Sequence, residues 1–223
     1  MPHVHAHAPH ELSEASPSSA RGERILELGA VLLLSLTTVA TAWSGYQAAR
    51  WSGEQSQHFA QASSTRIKAQ RETTSAGQLR IDDLLLFDGW LTAHDAGNRD
   101  LAALYRRRFR PEFVPAFRAW LDQRPFKNRH AAPSPLYTPE YRPAALAHAK
   151  TFDDEADTRY HEGTEAKTND DKYILSTVFF AAVLFFAGIS LRLDWQPLRI
   201  GVLCLGAVML IGGAVFVLTL PIA

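Results

Sequence analysis

Asp82, Asp83, Asp88, His94 and Asp95 crowd one stretch of the chain, and Asp157 and His161 stand four residues apart on another. Residues four apart on a helix share a face. Two such helices brought together could therefore offer carboxylates and imidazoles to a divalent cation. The pattern lacks the inward-facing Glu-x-x-His of di-iron bundles, and solvated charged helices have the same composition. A second metal candidate is the head of the chain, where His3, His5, His7 and His10 could bind Zn²⁺, Ni²⁺ or Cu²⁺. A solvated tail with incidental metal affinity is the plainer account of those histidines. The chain has no glycine-rich phosphate loop after a strand, no Gly-x-Ser-x-Gly elbow and no Cys-x-x-Cys; its single cysteine, Cys204, lies in an apolar run. No catalytic residue, metal ligand or cofactor is assigned, and a non-enzymatic protein is expected.

A different chemistry is offered by Phe109, Phe113, Phe117 and Trp120, which recur at helical spacing opposite Arg106, Arg107, Arg110 and Arg118. Two accounts fit. The rings form the core of a small cap, or they form an exposed face for a protein partner or a lipid surface. Charge is uneven around them. Arg99–Arg129 holds nine basic and three acidic residues, whereas Lys150–Asp171 holds three basic and eight acidic ones. These stretches are expected to face each other in the fold, the alternative being an exposed basic patch. Residues 50–171 are neutral overall, with 18 basic and 18 acidic side chains, and carry no recognisable reading motif, so nucleic acid is not an expected partner.

The elements that must position these groups follow from three apolar runs, Ile25–Ala42, Tyr173–Leu193 and Leu198–Ile222. A helix needs about 20 apolar residues to cross a ~30 Å hydrocarbon core. Tyr173–Leu193 has no ionisable Asp, Glu, Lys, Arg or His before Arg192, and Gly201–Ala223 has none. The mean hydropathy of -0.12 hides this because the polar middle dilutes the runs. The expected class is all-α, with three transmembrane helices (25–49, 172–193 and 198–222) and an extramembrane antiparallel helical hairpin between the first and second. Residues 1–24 read as a disordered tail. Residues 50–171 read as a long helix (50–96), an aromatic cap (100–140) and a returning helix (144–171). Ala62, Ala69 and Ala76, seven apart, suit close approach of a partner helix, with Ile67, Ile81, Leu84 and Leu91 near them. Pro111 and Pro115 should kink or divide a helix over 100–121, and five prolines make 124–143 a loop.

Short Arg-bearing loops stay in the cytoplasm, whereas long loops cross largely regardless of charge. Arg21, Arg24, Arg192 and Arg199 thus place the N-terminus and the second turn inside. Residues 50–171 and the C-terminus are placed outside. Ala40-Thr41-Ala42 has the form of a signal-peptidase site, but Trp43, Tyr46 and Trp51 suit the interfacial belt of an uncleaved helix. Thr37, Thr38, Thr41 and Gly45 on the first span, with Gly206 and Gly213 on the third, are expected to let membrane helices pack closely, within one chain or between copies. A pore lined by the Ser/Thr face of an oligomer is the alternative. The spans lack the intramembrane charge that coupled transporters retain.

Four blocks carry a resemblance. They are Ala40–Gln55 (ATAWSGYQAARWSGEQ), Tyr105–Phe113 (YRRRFRPEF) with Pro115–Phe117 and Ala119–Leu121, Pro139–Arg142 (PEYR), and Leu184–Ser190 (LFFAGIS). In this order they resemble a family of bacterial integral membrane proteins with three membrane segments and no assigned activity, fold or ligand. The likeness covers nearly everything after residue 25. It implies an uncleaved bacterial membrane protein and carries over no site residue; the expected location is the bacterial cytoplasmic membrane. The expected function is assembly, envelope organisation or sensing by an extracytoplasmic helical domain. An oligomeric channel and a metal-binding membrane protein are the alternatives. Expected partners are the lipid bilayer, further copies of the chain and a protein of unknown identity.

Overall fold

The computed structural model describes residues 17–223, with side chains from Arg21 onward, so the histidine candidate at 3–10 lies outside it. Among the described residues the chain is helical throughout, without a strand. The helices are α1 (Pro17–Asp95), α2 (Arg99–Arg107), α3 (Val114–Asp122), α4 (Ala144–Ser190) and α5 (Gln196–Leu218), with one 3₁₀ turn at Pro135–Tyr137. α1 starts inside the segment read as a tail, because Pro17 suits a first helical position and nothing after it breaks the helix. It stops where expected. Gly97, at φ +69, takes the left-handed conformation that turns the chain toward α2. The helix expected over 100–121 is two helices, with Pro111 in the intervening turn and Pro115 in the first turn of α3.

Three helices are long and apolar enough to cross a membrane, with mean hydropathies of 1.9, 2.1 and 2.6 in their most apolar windows. Only 17%, 33% and 17% of those windows is buried. Most of their apolar side chains therefore point outward, an arrangement that water penalises and hydrocarbon does not. The chain fits a multi-pass membrane protein.

Contacts divide the chain into two compact units: residues up to Gly53 with Ala166–Ala223, and Glu54–Glu165. In the first unit, buried positions recur every seven residues. On α1 they are Ala30, Thr37 and Ser44; on α4 they are Ala166, Tyr173, Phe180 and Ala187. A seven-residue repeat keeps one stripe of each helix on its neighbour along its length. α5 packs on this pair through Gly206 and Gly213. A Cβ at Gly206 would meet Leu33 at 2.9 Å, and one at Gly213 would meet Phe180 at 2.7 Å. The Trp51 Nε1 and the Tyr173 hydroxyl both donate to the Pro221 carbonyl, at 3.1 and 3.2 Å. The chain end after α5 thus lies beside Trp51 and Tyr173, at one end of the bundle.

The second unit repeats the same period with smaller side chains. Ala62, Ala69 and Ala76 of α1 and Ala149 and Ala156 of α4 are buried, as is Gly163. A Cβ at Gly163 would sit 2.6 Å from the Phe59 ring, so only glycine fits under that ring. Arg66 pairs with Asp157 at 2.6 Å, and His58 Nδ1 lies 3.0 Å from Glu162 Oε2. Ile67, Ile81 and Leu84, placed near this seam by spacing alone, are exposed instead. Alanine and glycine hold the seam because bulky β-branched side chains would force the backbones apart.

Candidate functional site

The end of the second unit furthest along α1 gathers the groups singled out above. Phe109, Phe113, Phe117 and Trp120 are all buried, with Phe87, Trp90 and Leu136 in one core. Their rings meet edge to face: Trp90–Phe117 at 4.7 Å, Phe109–Phe117 at 4.9 Å, Phe109–Phe113 and Phe87–Trp120 at 5.0 Å. That geometry sets the positive ring edge against the negative face. The Trp120 Nε1 donates to the Ala132 carbonyl at 2.7 Å, tying the proline-rich loop to α3. The four rings are therefore interior in this fold, and none is presented as a face for a partner. The physical reason is the division at Pro111. Two short helices fold over the end of α1 and shut the aromatic stripe between them.

One charge is shut in with the rings. Asp83 is fully buried, and the Arg110 guanidinium grips its carboxylate with two hydrogen bonds, Nε to Oδ1 at 3.0 Å and Nη2 to Oδ2 at 2.6 Å. The Tyr141 hydroxyl donates to Oδ2 at 3.1 Å, and Arg110 also reaches Glu112 at 3.1 Å. The α1 helix, the α2–α3 turn and the loop before α4 thus converge on one carboxylate. The hydrogen bond to Asp83 chiefly holds the guanidinium above even its ordinary range. Burial, reinforced by the Asp83 charge and hydrogen bond, pushes the Tyr141 phenol up to about 12. The sign follows directly. Below pH 10 the phenol is neutral in folded and unfolded chains alike. Between pH 10 and about 12 the unfolded chain releases the proton while the fold retains it, so stability falls as pH rises. In a spectrophotometric titration Tyr141→Phe should remove a tyrosinate that forms near pH 12, and it should flatten the loss of stability above pH 10.

Asp83 was legible as a carboxylate but not as a pin. Ala62, Ala69, Ala76, Asp83 and Trp90 stand seven apart, and all five are buried. That spacing was the signal that Asp83 leaves the solvated acidic group. Asp157, the other acidic candidate, pairs with Arg66. No three His, Cys, Asp or Glu side chains converge among the described residues.

The basic and acidic stretches do not pair with each other among the described residues. Arg110 turns to Asp83 and Glu112, while Lys150, Arg159 and Lys167 pair with Asp154, Glu162 and Asp171 on their own helix. Neighbours three and four apart on a helix are already within reach, so these three bases are met locally, while Asp157 turns to Arg66 of α1.

In the first unit Thr37 is buried, Thr41 half-buried, and Gly206 and Gly213 face the interior. Thr38 and Gly45 point outward, and nothing lies within 4 Å of a Cβ at Gly45. Within one chain neither is buried against another helix. The hydroxyls of Ser35, Thr37, Thr38 and Thr41 all donate to the carbonyl four residues back, at 2.6 to 2.8 Å. In hydrocarbon such self-satisfaction removes the cost of a bare hydroxyl.

The chain matches no family model, no curated protein and no solved structure.

Proposed function

We propose that this is a non-enzymatic protein of the bacterial cytoplasmic membrane whose residues 50–171 form an extracytoplasmic helical hairpin serving assembly, envelope organisation or sensing. The observation that carries the reading is the seam of Ala62, Ala69 and Ala76 with Ala149, Ala156 and Gly163, buried along two apposed helix stretches. Close-packed backbones of this kind make a stiff helix pair. Two of the acidic groups weighed for chemistry have structural partners instead, Asp83 with Arg110 and Asp157 with Arg66. The orientation rests on the arginines at 21, 24, 192 and 199.

Sidedness is tested with His130→Cys in a Cys204→Ala background, since His130 is exposed in the loop after α3. A membrane-impermeant maleimide added to intact spheroplasts should label it fully. Labelling that appears only after lysis overturns the extracytoplasmic placement.

A further inference from the structure

The fold leaves one cleft beside the aromatic core that nothing above uses. It has a volume of about 580 Å³ and is lined by Trp90 and His94 of α1, Arg99, Ala102, Ala103 and Arg106 of α2, Gly97 between them, and Leu121 of α3. The trough exists because the middle of the α2 wall is alanine. Its two ends are arginine. Arg99 and Arg106 are seven residues apart on one helix, about 10 Å at 1.5 Å per residue. Both are exposed. Neither forms an ion pair among the described residues, in contrast to Arg110. The Arg106 guanidinium lies 5.8 Å over the Phe117 ring, which restricts where its charge can go. His94 is held between Trp90, at 5.0 Å and 14°, and Phe126, at 5.1 Å and 28°. Stacking on both faces orients this exposed imidazole, which is among the groups lining the cleft. Asp95, Asp100 and Asp122, each next in sequence to a lining residue, do not themselves line the cleft.

The geometry points to this cleft as a binding site for a phosphate-bearing ligand. Two unpaired guanidiniums and an imidazole around one trough call for an anionic ligand that offers several acceptor oxygens. Phosphate groups carry up to two charges each and accept the forked hydrogen bonds that guanidinium donates. The apolar floor of Trp90 and Leu121 would take the uncharged part of the ligand. The surrounding Arg99–Arg129 stretch, nine basic residues against three acidic, adds long-range attraction for such an anion. The inference depends on the fold of the second unit and not on which side of the membrane it lies.

Calorimetric titration of the full chain in an uncharged detergent tests it with two probes, inorganic pyrophosphate and a soluble short-chain phosphatidylglycerol. The wild-type chain should bind at least one probe saturably, and more weakly as salt is raised. Arg99→Gln with Arg106→Gln should raise the Kd at least tenfold, while Arg118→Gln with Arg129→Gln, equal in charge but outside the cleft, should change it less than twofold. Pyrophosphate binding identifies a free phosphate ester as the ligand source, and binding of the phosphatidylglycerol alone identifies a lipid headgroup. Arg106→Lys, which keeps the charge, separates loss of the site from loss of the fold: it should retain more affinity than Arg106→Gln at unchanged melting temperature. No saturable binding of either probe, or equal weakening by the two double variants, overturns the site.

Discussion

Asp83→Ala is expected to loosen the whole end of the second unit, at a cost of about 3 kcal/mol. Removing one member of a buried ion pair costs about 3–5 kcal/mol, because the remaining charge has lost its partner in a poorly solvated place. The lower end applies here, since the Arg110 side chain is 23% exposed and keeps Glu112 within reach. Tyr141 loses its acceptor as well. Hydrogen exchange of the full chain in detergent measures the effect locally. Amides of α2, α3 and the 135–141 segment should exchange roughly a hundredfold faster, about 1.4 kcal/mol per decade. Asp82→Ala removes an exposed carboxylate next door and should change exchange by little, within about 0.5 kcal/mol. Arg110→Ala should resemble Asp83→Ala, and the double variant should cost less than the sum, because both remove one interaction. If Asp82→Ala and Asp83→Ala prove indistinguishable, Asp83 is not a pin.

Phe113→Ala should cost about 3–5 kcal/mol, the range for truncating a fully buried aromatic side chain. Its ring touches Phe109, Phe117 and Tyr141, and it has no exposed surface. The substitution therefore deletes core, and any partner lost with it would be lost through unfolding. Phe126, 58% exposed although stacked on His94, is the contrasting ring; Phe126→Ala should cost less than about 1 kcal/mol. Thermal unfolding followed by circular dichroism, together with exchange over residues 87–136, reads both. Unchanged protection in Phe113→Ala would falsify the placement of that ring in the core.

Much of the architecture could be read along the chain. The three apolar helices, the end of α1 before Gly97, the division near Pro111 and the small-residue seam at Ala62, Ala69 and Ala76 each depend on neighbours within a few turns. The start of α1 is not legible in the chain, because residues 17–24 lack apolar periodicity, although nothing in them opposes a helix. The inward Thr37 and outward Thr38 are adjacent and chemically alike, so no composition argument separates them. Their facing is set by the stripe that α4 and α5 cover.

Local quantities therefore decided class: run length against bilayer thickness, and a seven-residue repeat against helix pitch. Whether the aromatic stripe faced inward or outward, and which guanidinium met Asp83, was decided by tertiary structure alone. Arg110 is 27 residues from Asp83 and Tyr141 is 58 away, joined to it through a helix turn and a proline-rich loop. Helical periodicity says which residues share a face, but what covers that face depends on how the intervening turns bring the chain back.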